Sequence, residues 1–224
     1  MPSVLITGAN RGIGLEFVRQ YAKDGWRVIA CCRRPDVANE LHAITGDLHI
    51  EGLDVAVPDA VRRLGSSIID PLDIVVANAG IGGKDAGGLG DNNYEIWKEV
   101  LAVNLIGVVA TFDAFLPQLR AAKGKFAAIS SNLGSIERAN GYAPAYSTSK
   151  AALNMAIKAL AVAAEPTGVA AAPFHPGWVR TDMGGVDAAI STAQSVSGLR
   201  ARIAEMKPNL SPVLTGYDGE VIPW

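Results

Sequence analysis

The chain has 224 residues, the size of one ordinary domain, and 49% of them are apolar against 19% charged, which favours a packed core over disorder. Twenty basic against 22 acidic residues leave a formal charge of -2, so there is no basic footprint for nucleic acid or an anionic membrane. The opening MPSVLITGAN has neither a basic start nor a long apolar run, and no signal peptide is expected.

Short β-type runs alternate with helical patterns along the whole chain. SVLIT (3–7) predicts a strand almost at the start, and GIGLEFVRQYAKDG (12–25) a helix with Leu15, Phe17, Val18 and Tyr21 on its apolar face and Gly25 at its end. WRVIACC (26–32) and DLHIEGLD (47–54) are the next strands. PDAVRRLGSSI (58–68) is a helix opened by Pro58. LDIVVANAG (72–80) is a fully apolar strand, and IGGKDAGGLG (81–90) a glycine-rich loop. A long helix follows from Asn92 or Asn93, its expected cap, to about Ala122. Its apolar stretch is interrupted by Asn104, Thr111 and Asp113, so it reads as a buried helix rather than a membrane span. KFAAISS (125–131) is a strand, 146–165 a helix stopped by Pro166, and VAAAPFHPG (169–177) a strand entering a turn. Residues 184–207 are read as helical pieces and LTGYDGEVIPW as a last short strand.

Apolar strands alternating with helices predict an α/β fold of the Rossmann type: one doubly wound parallel sheet with helices on both faces, spanning 1–224 as a single domain. Ligands of such folds gather at the carboxyl ends of the strands. Cys31 and Cys32 are adjacent, with Cα atoms ~3.8 Å apart, too close for an ordinary disulfide. They are read as core residues of a reducing, cytoplasmic setting. His42, His49 and His175 share no ligand spacing, so no structural metal is expected.

The first strand runs directly into TGANRGIG, with Gly8, Gly12 and Gly14. The spacing differs from G-x-G-x-x-G, but such glycines let a chain turn sharply and let backbone approach a pyrophosphate at a helix N-terminus. The same glycines would also serve a plain strand-to-helix turn. Where a dinucleotide site would place an acid on the ribose, the second strand ends Cys31-Cys32-Arg33-Arg34. Two guanidinium groups there, with Arg11 near them, suit a 2′-phosphate, so NADP(H) is expected in preference to NAD(H); the alternative is solvated surface charge.

Tyr146 and Lys150 in YSTSK are four apart, on one face of a helix. A phenol titrates near ~10, and a nearby ammonium is expected to lower that value towards neutrality, fitting Tyr146 for acid-base work on a carbonyl or alcohol. Lys150 is also placed to hold a nicotinamide ribose. Ser131 ends the preceding strand and can donate to the same substrate oxygen. Alone, a Tyr-x-x-x-Lys spacing is common in exposed helices.

Taken together, these motifs resemble the short-chain dehydrogenase/reductase family over nearly the whole chain. The resemblance implies that Gly8, Asn10, Arg11, Gly12, Ile13 and Gly14 form the cofactor loop. It places Asp54 and Val55 of LDV at the adenine, and Asn78, Ala79 and Gly80 as the NAG motif. Asn104 matches the helix asparagine that holds a proton-relay water, and Ser131, Tyr146 and Lys150 the remaining catalytic set. Pro176, Gly177, Val179 and Thr181 fall in the turn that grips the carboxamide. SNLGSIERANG, HPGWVRTDMGG and YDGEVIPW resemble a narrower branch, the C-factor-like and sniffer-like carbonyl reductases. Two departures stand out. Ala77 replaces the first asparagine of the usual NNAG, which bears on stability, and the gap from Ser131 to Tyr146 is slightly long, which brings Ser130 and Ser135 into consideration beside Ser131.

The expected function is reduction of a ketone or aldehyde, a small-molecule substrate, by NADP(H); the same residues would run the reverse oxidation. The alternative is a C-factor-like dinucleotide-binding signalling or sensor protein. The substrate pocket is expected from the Gly82–Gly90 loop, Trp178 and residues 181–210, with Met183, Val186 and Ile190 as apolar candidates. The alanine-rich stretch 151–164 is read as buried or as a homodimer interface.

Overall fold

The computed structural model describes every residue except Leu89 and Leu210, so those two members of the expected pocket segments lie outside the described residues. In chain order the elements are β1 (Ser3–Thr7), α1 (Gly12–Lys23), β2 (Arg27–Cys32), α2 (Asn39–His42), β3 (Leu48–Gly52), α3 (Pro58–Ser67) and β4 (Ile74–Ala77). A two-residue hairpin, β5 (Gly87–Gly88) with β6 (Asp91–Asn92), precedes α4 (Tyr94–Leu101). A π-helical turn, Ala102–Ile106, joins it to α5 (Gly107–Ala122). Then come β7 (Lys125–Ile129), α6 (Pro144–Ala164), β8 (Ala170–His175), α7 (Thr192–Glu205), β9 (Leu214–Gly216) and β10 (Val221–Ile222).

The main sheet has the order β3-β2-β1-β4-β7-β8-β9-β10 and is parallel except for β10 against β9. β1 lies between β2 and β4, with Val4 paired to Val28 on one side and to Ile74 on the other. The chain therefore winds outward in opposite directions from β1 and β4. The crevice at that reversal opens at the carboxyl ends, where Gly8 and Asn78 lie.

Every β1 residue is buried, which follows from helices covering both sheet faces. On one face Val4, Ile6 and Cys32 pack with Leu15, Phe17 and Val18 of α1 and Val196 and Leu199 of α7. On the other, Leu5, Cys31, Val75 and Phe126 pack with Phe112 and Phe115 of α5 and Leu153 and Ile157 of α6. Phe112 meets Phe126 edge to face at 5.0 Å, and truncating such a buried ring to Ala costs about 3–5 kcal/mol. The two cysteines are free and face opposite sides of the sheet.

The apolar run Tyr94–Ala122 is long enough to cross a membrane by composition, but α5 packs on α3, β4 and β7 as a core helix. Asn93 caps α4 by accepting the N–H groups of Glu95 and Ile96, as its sequence position predicts. Lys123 adopts φ 49° and Gly124 N–H returns to the Leu119 carbonyl, which ends α5. Three sequence expectations shift. The helix expected from Tyr146 starts at Pro144, a favoured first-turn residue. Of residues 184–207, only Thr192–Glu205 is helical, and the expected last strand is a β9–β10 hairpin, because Gly219 at φ 93° allows the chain to reverse.

Candidate active site

The glycine loop closes on the β4 end. Thr7 Oγ1 accepts the N–H groups of both Asn78 and Ala79 at 3.1 Å, and Asn78 Nδ2 donates to the carbonyls of Thr7 and Gly8. Gly8 has φ 65°, and a Cβ there would lie 2.8 Å from Ala79 Cα; a Cβ on Gly14 would collide with the Gly8 carbonyl. These glycines are therefore required by close backbone approach. Helix α1 begins at Gly12 with no side-chain cap on its first N–H groups and no acidic residue in its first turn. A pyrophosphate fits that end, which offers free donors and a partial positive charge. Asn10 and Arg11 are exposed and Ile13 half-buried around it.

Cys32 accepts the Leu53 N–H, which brings Asp54 beside the end of β2; Asp54 Oδ1 accepts the Ala56 N–H at 3.0 Å, and Val55 is buried. Arg33 and Arg34 are exposed just beyond β2. Arg11 does not join them: it pairs with Asp182 at 2.8 Å across the loop mouth. A Cβ on Gly12 would lie 3.2 Å from Thr181 Cγ2, so the glycine loop and the segment after β8 meet here.

At the other end of the crevice, Ser131, Tyr146 and Lys150 converge. Ser131 follows β7; its Oγ accepts the Leu133 N–H at 3.1 Å and donates to Asn132 Oδ1 at 3.3 Å, and it stands near enough to the Tyr146 phenol to favour its ionised form. Ser130 and Ser135 are engaged elsewhere, with Asn154 and with the Arg138 N–H, so Ser131 is the serine presented to Tyr146. Lys150 Nζ donates to the Ile129 carbonyl at 2.8 Å and lies 5.6 Å from the Tyr146 ring centroid. Gly134 permits this packing: a Cβ there would lie 2.7 Å from the Lys150 carbonyl carbon.

The electrostatics differ from the sequence expectation. Burial raises the Tyr146 pKa, and the neighbouring Ser131 hydroxyl, not Lys150, opposes the rise. Burial also pushes Lys150 down to about 8. Desolvation disfavours the charged form of each, so the phenol stays protonated and the ammonium becomes a stronger acid.

Asn104 is fully buried in the π-helical turn. Its Nδ2 donates to the Ile81 carbonyl (2.9 Å) and to Ser149 Oγ (3.0 Å), and its Oδ1 accepts the Ile81 N–H (2.8 Å). Both amide hydrogens are thus engaged by protein, tying the segment after Gly80 to α6. Beyond β8, Gly177 takes φ 86°, and the Pro176 carbonyl accepts from Ser195 Oγ at 2.6 Å. Thr181 Oγ1 accepts the Gly184 N–H, and Trp178 Nε1 donates to the Gly184 carbonyl. Val179 is buried and bridges Ile190, which packs beneath Gly177. Ile190 is therefore a support of the turn rather than the pocket residue expected. Met183 does face Gly82, with its Cγ 3.7 Å from where a Cβ would stand. The sequence reading missed Thr7, Ser149 and Ser195. The first two adjoin singled-out residues, Gly8 and Lys150, whereas nothing local marks Ser195.

Residues 2–189 match the short chain dehydrogenase family. The chain is 37% identical to C-signal of Myxococcus xanthus over 156 residues, 69% of this chain and 93% of that one. It superposes on the carbonyl reductase Sniffer of D. melanogaster with a TM-score of 0.92 and 30% identity, covering all of both chains. A short-chain dehydrogenase/reductase from Burkholderia multivorans with bound NADP gives a TM-score of 0.90 at 28% identity, covering 100% of this chain and 99% of that one. The chain belongs to the short-chain dehydrogenase/reductase family and is a nicotinamide-dinucleotide oxidoreductase.

Proposed function

We propose that the protein reduces ketones or aldehydes with NADPH, with Tyr146 as the proton donor. The observation that carries this reading is the Ser131–Tyr146 pair, a phenol that burial keeps protonated beside a serine hydroxyl at the carboxyl edge of the sheet. When bound, the nicotinamide supplies the hydride. As charge develops on the carbonyl oxygen, Ser131 donates a hydrogen bond and Tyr146 passes its proton. Lys150 is mostly ammonium at neutral pH and favours the phenolate left behind. Asn104 fixes the backbone past which water returns a proton to Tyr146. Oxidation of an alcohol would run through the same residues in reverse, starting from the phenolate that burial disfavours.

Glycine-loop donors of α1, Asn78 to Gly80, Asp54, Val55 and the Pro176–Thr181 turn would hold the dinucleotide. Arg33 and Arg34 support NADP(H) over NAD(H): among the described residues neither is in an ion pair, whereas Arg11 is engaged by Asp182. The neighbour solved with bound NADP supports the same choice. Trp178 and Met183, 57% and 55% exposed, favour an apolar carbonyl substrate. Met155 and Val162 on the outer face of α6 support a homodimer.

The test is NADPH against NADH oxidation with a panel of ketones, aldehydes and quinones, with Tyr146→Phe alongside. Turnover favouring NADPH, with kcat falling roughly 10²- to 10⁴-fold in the variant at unchanged dinucleotide Kd, is the expected result. The likeness to C-signal favours a second reading, a dinucleotide-binding signalling protein. Tight NADPH binding with no turnover, and no effect of Tyr146→Phe, would select it.

A further inference from the structure

The segment joining Ser131 to Tyr146 is braced from outside the catalytic set. Its Asn132 N–H donates to His175 Nδ1 at 3.2 Å, at the end of β8. Its Glu137 N–H donates to the Trp224 carbonyl at 3.0 Å, and its Arg138 guanidinium pairs with Glu220 at 2.8 Å. The β9–β10 hairpin is in turn fixed to β8, because the Tyr217 N–H donates to the His175 carbonyl at 2.9 Å. Lys158 of α6 lies 5.4 Å from the Trp224 ring centroid. The longer-than-usual gap after Ser131 and the YDGEVIPW ending, two separate features of the sequence, thus meet in one place.

The contact with His175 bears on chemistry because of its position. Asn132 and Leu133 supply consecutive N–H groups of one tight turn. His175 takes the first, and Ser131 Oγ takes the second. Freeing Asn132 from His175 would let the residue turn, and with it both groups that engage the Ser131 hydroxyl: the Leu133 N–H that it accepts and the Asn132 Oδ1 to which it donates at 3.3 Å. Because Nδ1 accepts, the ring is the neutral tautomer with its proton on Nε2. Asp218 and Glu220 of the hairpin and Arg138 of the braced segment face it; burial, aided by Arg138, outweighs the two carboxylates and pushes the pKa down to about 4.

We propose that His175 is a positioning residue: through its Nδ1 bond to the Asn132 N–H it sets the Ser131 hydroxyl towards the substrate oxygen. This rests on the reading of Ser131 given above. The test compares His175→Asn, whose Oδ1 can stand where Nδ1 stands, with His175→Gln, whose amide reaches the Nε2 position instead. Both are polar replacements at a half-buried position. Each is assayed with NADPH and 4-nitrobenzaldehyde, or with the best carbonyl of the panel, alone and combined with Ser131→Ala. A misplaced donor loses part of the large effect of a deleted one, so Gln is expected to lower kcat about tenfold at unchanged NADPH Kd, with Asn within about threefold of wild type. In the Ser131→Ala background Gln is expected to add nothing, since both changes remove one interaction. Equal kcat for Gln, Asn and wild type while Ser131→Ala is impaired overturns the brace alone. A Gln effect that persists undiminished in the Ser131→Ala background also overturns it. Full activity of Ser131→Ala overturns the reading of Ser131 on which the brace depends.

Discussion

Replacing Asn104 with Ala is the sharpest test of how the site is held. The side chain is fully buried and makes three hydrogen bonds, at 2.8, 2.9 and 3.0 Å, to the Ile81 N–H, the Ile81 carbonyl and Ser149 Oγ. At about 1 kcal/mol net each, their loss costs about 3 kcal/mol. Partial access of water to the half-buried Ile81 backbone lowers that cost, and the space vacated raises it. Ser149 retains its bond to the Tyr146 carbonyl and adds little. In a domain of this size each kcal/mol moves Tm by about 2–4 °C, so a fall of about 6–12 °C is expected. Thermal unfolding followed by circular dichroism reads it, with dinucleotide binding measured on the same samples. Asn104→Asp should fall further, because it exchanges two donors for an ionised group facing a carbonyl. A decrease of less than about 3 °C for Asn104→Ala would refute the claim that this side chain ties the Ile81 segment to α6.

Three further outcomes are expected. Lys150 titrates at about 8 folded, against ~10.4 unfolded, so the unfolded chain binds more protons between those values and stability should rise with pH across them. Below about 8 the buried ammonium is a constant cost on the order of 3 kcal/mol, so the stability of wild type relative to Lys150→Met should climb between pH 8 and 10.4 in urea unfolding; a flat difference would count against a buried ammonium. Arg33→Ala should raise KM for NADPH about tenfold, the lower end for a charge-assisted bond at an exposed site, and leave NADH unchanged; equal effects on both dinucleotides would remove Arg33 from the 2′-phosphate. Gly134→Ala, which forces a Cβ to within 2.9 Å of Asn154 Nδ2, should cost about 1–3 kcal/mol in unfolding and lower kcat, and wild-type values would contradict the packing of that turn on α6.

Much of this architecture is legible in the sequence because it depends on local pattern. Apolar strands separated by periodic helices dictate a two-sided parallel sheet, and TGANRGIG after β1 identifies the loop that meets β4. The spacing of Tyr146 and Lys150 likewise survives folding, since helical neighbours are fixed by the chain itself. What sequence does not reveal depends on distant contacts. The direction of the Tyr146 pKa follows from burial by other elements, and Arg11 is diverted by Asp182, 171 positions away. Ile190 resembles any apolar pocket candidate until the bridge to Val179 turns it inward.

The π-helical turn Ala102–Ile106 also acts as a phase shifter. An α-helix advances about 100° per residue, so a single residue accommodated in a wider turn rotates everything beyond it by that much relative to what came before. Upstream of it the helix buries Val100; downstream it turns Val108, Phe112 and Phe115 to the sheet, with Asn104 inside the turn itself. Deleting one residue here would shorten the run by only about 1.5 Å, yet one segment would have to turn away from its partners. The extra residue thus lets Asn104 sit within the run while Val100 before it and Val108, Phe112 and Phe115 after it remain buried.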